Sequence, residues 1–114
     1  MTDLADAIAA LGDALAEVVA TALGAGGLCR AGEAEIIAAL VAAGGIRRAA
    51  DALIVESVAQ ILDRDEAVAH ADRITTRHGC RTVAELVERA TRVSARSAGE
   101  IVAAATATRR RASL

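Results

Sequence analysis

The chain has 114 residues, with 13 basic and 15 acidic side chains and a formal net charge of −2. This length allows one domain with a modest core. The chain contains no aromatic residue and no proline, so Ala, Val, Leu and Ile must build the core, and the composition predicts an all-α protein. Because so thin an aliphatic core often needs a partner subunit, we expect a homo-oligomer and favour a dimer.

The first predicted helix runs from Leu4 to Leu23, with Thr2 or Asp3 as its N-cap. Its apolar residues recur at spacings of three and four, which is typical of one buried stripe. The acidic residues of this segment argue against a signal peptide and a membrane span: Asp3, Asp6, Asp13 and Glu17. With Cys29 and Cys80 far apart and without a CxxC motif, we expect reduced thiols and a cytoplasmic location.

A second, longer helix is predicted from near Gly32 to about Arg64, after the glycines at 24, 26 and 27 end the first. Its apolar stripe includes Ile36, Ile37, Leu40, Val41, Leu53, Ile54, Val58, Ile61 and Leu62. The Gly44–Gly45 pair predicts either a kink or the close approach of a neighbouring backbone. The fold class expected for residues 1–64 is a long antiparallel helical hairpin.

A polar connector over residues 65–80 leads to a shorter, helix-turn-helix-like pair within residues 81–114. Thr82 and Glu85 form a capping-box pattern ahead of a helix from Val83 to about Ala90. Arg92–Ser94 is the predicted turn, and Ser94 is the predicted cap of a helix from Ala95 to about Thr108. The whole chain is expected to be one helical domain.

Charge divides the chain strongly. Residues 1–72 hold four arginines against twelve acidic residues, whereas the chain from Arg73 onward holds nine arginines against three glutamates. A basic helix-turn-helix-like end is typical of DNA binding. The predicted DNA-contacting residues are Arg81, Arg92, Arg96, Ser97, Arg109, Arg110 and Arg111. The alternative is an ordinary helical hairpin with a solvated basic face.

No catalytic or metal-binding constellation is expected, so the sequence predicts neither an enzyme nor a cofactor or small-molecule substrate. The acidic pairs at i, i+2 do not share a helix face, and no phosphate-binding loop with lysine is present. His70, His78, Cys80 and Cys29 could be proposed as a zinc site, but their spacing does not fit one.

Three stretches, taken in order, resemble a known family: GEAEIIAALVAAGGIRRAADALIVESVAQILDR, RHGCRTVAELVERATRVSARSAGEIVAAA and RRRASL. They are similar to the N-terminal helical region of actinobacterial HNH-endonuclease-signature proteins, which carry the domain of unknown function 222. The resemblance implies a helical module ahead of a nuclease in a longer protein. The resemblance does not imply nuclease activity for this chain. An HNH centre needs its metal-binding and general-base histidines and usually an asparagine, and this chain has two histidines and no asparagine.

Two functions remain open from the sequence. The first is a non-catalytic helical accessory module, oligomeric and DNA-associating through its basic end. The second is a self-assembly or protein–protein interaction module without nucleic-acid binding, in which the acidic and basic ends of neighbouring subunits attract each other.

Overall fold

A computed structural model describes residues 3–112. Thr2, the alternative cap of the first helix, and the C-terminal Ser113–Leu114 lie outside the described residues. The first helix, α1, spans Leu4–Leu23, as predicted. Its N-cap is Asp3, whose carboxylate accepts a hydrogen bond from the amide of Asp6 at 2.8 Å, and this bond satisfies one of the amides that a helix start leaves without a partner.

The second helix, α2, spans Glu33–Glu66 and follows a short 3₁₀ turn at Leu28–Arg30. It is continuous through both Gly44 and Gly45. A Cβ atom added at Gly45 would meet only the side chain of Arg48, at 3.8 Å. The helix therefore does not break at the glycine pair, and no described backbone approaches Gly45 closely enough to require glycine.

Three further helices complete the fold. They are α3 at Ile74–Arg77, α4 at Val83–Thr91 and α5 at Ala95–Ala112. Residues 3–112 contain no strand, so the all-α class and the order of two long helices before a shorter pair are confirmed. α5 continues one turn beyond the predicted end, because Ala and Arg are good helix formers and arginines favour the negative end of the helix dipole.

The core lies where the second half of α2 meets α4 and α5. Its buried residues are Val58, Ala59, Val87, Ala98 and Ala105. Ala98 and Ala105 have no solvent exposure, so small side chains allow α5 to pack closely. Leu53 does not belong to this core, contrary to the predicted stripe: it is 39% exposed, whereas its neighbours Ile54 and Val55 pack against the cluster.

Contacts divide the chain into two units, residues 1–44 and 45–114. The boundary lies inside α2, at the glycine pair, because the second half of α2 packs with α4 and α5. The first unit has no buried residue between positions 3 and 44. α1 and the part of α2 that belongs to this unit therefore bury no common apolar seam. No helix between residues 3 and 112 has the length and apolar character needed to cross a membrane.

Candidate nucleic-acid interface

The turn between α4 and α5 organises the basic end. At the start of α4 the Thr82 hydroxyl accepts a hydrogen bond from the Glu85 amide at 3.1 Å. The Glu85 carboxylate reaches back one residue further than the capping-box pattern predicts, because it accepts from the Arg81 amide at 3.0 Å. The backbone of Arg81 is thereby fixed, while its side chain is exposed.

Arg92 ends α4 in the left-handed conformation, with φ 58° and ψ 29°. A side chain with a Cβ atom is disfavoured there, and glycine is the usual residue. Val93 then packs against the core, and the Ser94 hydroxyl accepts from the Ser97 amide at 3.1 Å to cap α5. The predicted three-residue turn is confirmed, and it holds the Arg92 side chain outside the core.

Ser97 has a role that sequence reasoning missed. Its hydroxyl accepts a hydrogen bond from the Ser94 hydroxyl at 3.1 Å, and its side chain is only partly exposed. It belongs to the α5 cap as the structure describes it, and its own O–H can still donate a hydrogen bond to a phosphate.

The outer face of α5 carries arginines at both ends and small residues between them. Arg96 lies near the start, with a side chain 90% exposed and a loose pairing to Glu100 at 3.6 Å. Gly99, Ala103 and Ala104 follow on the exposed side. Arg110 and Arg111 are exposed in the last turn, and no ion pair of residues 3–112 involves either of them. This face therefore has arginines at both ends and small side chains in the middle, so that the middle leaves room for a bound molecule to approach the helix.

Arg109 differs from the two arginines that follow it. Its guanidinium contacts the carboxylates of Asp63 and Glu66 near the end of α2, and its side chain is 27% exposed. Hydrogen bonds to Glu66 and then Asp63 raise the pKa of Arg109 above its ordinary value. The sequence grouped it with Arg110 and Arg111 as a phosphate ligand, but the structure uses it to join α5 to α2.

Asp65 is a buried carboxylate that the sequence did not single out. Its Oδ1 accepts from the Ile74 amide at 2.7 Å, and its Oδ2 accepts from the amide and the hydroxyl of Thr75 at 3.3 and 3.0 Å. Burial alone would raise the pKa of Asp65, but these hydrogen bonds and the nearby charge of Arg73 outweigh it and lower the pKa. Asp65 thus fixes the start of α3 on the end of α2.

The predicted site residues do not all meet at one place. Arg81 and Arg109 line one cleft together with Arg73, Asp65 and Glu66. Arg92 lines another cleft with Glu85, Glu88 and Arg89. Both clefts therefore mix cations with carboxylates. Of the predicted arginines on α5, Arg110 and Arg111 are the two that enter no ion pair among residues 3–112.

Other site chemistry is sparse. Among residues 3–112 no three His, Cys, Asp or Glu side chains come together as a metal site would require. Cys29 is exposed and Cys80 is buried, and neither forms a disulfide. The Cys80 thiol lies 3.7 Å from the Arg89 guanidinium, while the His78 ring donates from Nδ1 to the carbonyl of Ile74 at 2.9 Å. The contacts of Cys80 and His78 thus lie within the connector and between the connector and α4.

Comparison of the chain with protein-family models, with curated proteins and with solved structures finds no match. The resemblance to the helical region of HNH-associated proteins thus stays a prediction from the sequence.

Proposed function

We propose that the chain is a non-catalytic helical accessory module whose basic second unit associates with the phosphate backbone of duplex DNA. The outer face of α5 is the observation that carries this proposal. Arg96 and Arg110 are 14 positions apart on that face, about 21 Å along the helix. This distance exceeds the major-groove width of about 12 Å, so the two arginines can reach phosphates on opposite sides of the groove.

The charge of the second unit favours the same partner. Residues 45–114 contain twelve arginines and nine carboxylates, a net charge of +3. α4 and α5, joined by a short turn, resemble the pair of a helix-turn-helix module, in which the second helix of the pair enters the groove. In such modules the residues before the first of the two helices often contact the backbone, which is the place of Arg81.

The same face has few side chains that read bases. Small residues occupy its middle, and the one acidic group, Glu100, is paired with Arg96. We therefore propose binding that depends on phosphate contacts and counterion release and that discriminates little between sequences. The proposal includes a cytoplasmic location and, through the resemblance, a role as the DNA-contacting part of a nuclease-associated protein.

Fluorescence anisotropy of a labelled duplex, titrated with the full chain at several salt concentrations, tests this function. Arg96→Ala and Arg110→Ala should each weaken binding and reduce the slope of log K against log salt by about 0.9. Arg30→Ala makes the same change of charge in the first unit and serves as the matched control. Absence of binding at 50 mM salt, or equal effects of all three substitutions, would contradict the proposal.

A second candidate is a protein-interaction module that does not contact nucleic acid. The observation that favours it is the exposure of large apolar side chains on the first unit, including Leu4, Leu11 and Leu40. Under this function the arginines of α5 are a solvated face. The anisotropy experiment separates the two candidates, because only the first predicts salt-dependent binding that Arg96→Ala weakens.

A further inference from the structure

Exposed and buried apolar residues separate sharply along the chain. Within residues 3–112, all buried residues lie between Val58 and Ala105. Of the fifteen large apolar side chains that are exposed in this range, twelve lie between Leu4 and Val41. Single exposed apolar residues are ordinary, but such a concentration marks a surface that another molecule covers.

Apolar residues of α1, all exposed except the half-buried Ala22, follow the pattern of a helix–helix seam. Leu4, Ile8, Leu11, Leu15, Val18 and Ala22, called here the α1 seam, are separated alternately by four and three positions. This alternation is the a/d spacing of a coiled coil, and it extends over about 30 Å of helix. Leu4 and Leu11 are both 72% exposed, and Ile8 and Leu15 are 39% exposed.

The accessible area indicates how much surface a partner would cover. The chain exposes 8590 Å², whereas a compact monomer of 11.5 kDa is expected to expose about 5,800 Å². The difference is on the order of 2,800 Å² per chain. Covering it on two chains would bury roughly 5,600 Å² in total, which matches the upper end of the range of about 2,000 to more than 5,000 Å² for obligate homodimers. A small peptide or a transient partner would leave most of it uncovered.

Charge placement favours a protein partner over a lipid surface. Asp6, Asp13 and Glu17 lie about half a turn away from the α1 seam, and α1 contains no Arg, Lys or aromatic residue. Membrane-surface helices use basic and aromatic side chains to bind anionic headgroups, which the acidic face of α1 would repel. The seam itself is uncharged, so two seams can meet without bringing these carboxylates together.

We propose that the α1 seam binds the same seam of a second copy of this chain, forming a symmetric homodimer. The exposed face of α2 that includes Ile36, Leu40 and Val41 widens the interface. A two-fold arrangement needs only one self-complementary surface. A second copy of the chain is thus the partner that the protein-interaction candidate does not specify. The dimer does not depend on DNA binding. A dimer of this kind would carry two basic units in one particle.

Sedimentation equilibrium of the full chain without DNA tests the dimer. The wild-type protein should have twice the chain mass at micromolar concentrations. Leu11→Asp should raise the dimer dissociation constant at least about a hundredfold, because it would bury an unpaired charge in the seam. Val68→Asp is the matched control: Val68 is also exposed, at 42%, but lies outside the surface, and its variant should remain a dimer.

Leu40→Asp provides a second variant in case Leu11→Asp loses helicity by circular dichroism, since Leu40 is 68% exposed on α2. A wild-type monomer at several hundred micromolar would overturn the proposal and assign the surface to a different protein. Equal masses of the Leu11→Asp, Leu40→Asp and Val68→Asp variants would also overturn it. Loss of duplex binding alone, with the dimer mass unchanged, would contradict only the DNA proposal.

Discussion

Arg109 near the end of α5 forms an ion pair with Asp63 near the end of α2, across 46 positions of sequence. Glu66 accepts from the same guanidinium. The pair joins the last turn of α5 to the last turn of α2. One arginine of a run of three therefore stabilises the fold, and the other two remain exposed.

Substitution of Arg109 should separate these roles. Arg109→Ala removes the contacts with both carboxylates, so we expect it to lower the free energy of unfolding, more strongly at low salt than at high salt. Arg110→Ala is the matched control, because it removes an exposed arginine from the same turn and should leave stability almost unchanged. Urea denaturation at 20 mM and 500 mM salt measures both. Equal stability of the two variants would show that the ion pairs contribute nothing.

Asp65 should contribute more to stability than its exposed acidic neighbours. Asp65→Asn keeps the shape of the side chain, but its amide nitrogen replaces one oxygen that accepts hydrogen bonds from Ile74 or Thr75. We expect a loss of about 1–3 kcal/mol in the free energy of unfolding. Asp72→Asn changes the charge equally at an exposed position and should cost less than about 0.5 kcal/mol. Urea denaturation at pH 7 compares the two.

The lowered pKa of Asp65 predicts a particular dependence of stability on pH. In the unfolded chain this carboxyl titrates near its ordinary value of about 3.9, and in the folded chain it titrates below that value. Its contribution is therefore present above about pH 4 and is lost as the pH falls through the folded pKa, because the unfolded state then binds more protons. Carbon-13 NMR of the Asp65 carboxyl between pH 2 and 6 measures the shift. A midpoint at or above 4 would contradict the hydrogen-bond account.

Arg92 offers a test that separates stability from binding. Because its φ of 58° is disfavoured for a residue with a Cβ atom, Arg92→Gly should raise the free energy of unfolding by about 1 kcal/mol. The same substitution removes a cation from the proposed interface, so duplex affinity should fall. Arg92→Ala should weaken binding equally without the gain in stability.

Gly79 is the counterpart of Arg92, because its φ of 70° is also positive. Gly79→Ala should lower stability by about 1 kcal/mol and leave duplex affinity unchanged.

An Arg92→Gly variant with unchanged duplex affinity would show that Arg92 does not belong to the interface.

Local signals in the sequence predicted the helices of this protein well. The sequence predicts Thr82 and Ser94 as caps and Asp3 as one of two candidates, and each of the three accepts a hydrogen bond from an amide three positions later. Such bonds depend on the chemistry of a few neighbouring residues, which the sequence displays directly. The turn at Arg92–Ser94 followed from the same reasoning.

Contacts between residues far apart in the chain could not be predicted from the sequence. The hydrogen bonds of Asp65 to Thr75 and the ion pairs of Arg109 depend on where α2, α3 and α5 lie in space, and no periodic pattern specifies that. The predicted apolar stripe of α2 includes Leu53, because adjacent apolar residues fall on overlapping helix faces. In the structure Val58 and Ala59 are buried, whereas Leu53 is exposed. The α1 seam was recognised as apolar, but a single sequence does not say whether its partner lies in the same chain.

The central claim is that the basic second unit binds duplex DNA through its phosphates, and light scattering with and without a short duplex tests it most directly. At 50 mM salt we predict that adding duplex increases the particle mass by that of bound DNA, and that 500 mM salt reverses the increase. A mass that duplex does not change at 50 mM salt would contradict the claim and leave α5 as a solvated basic helix.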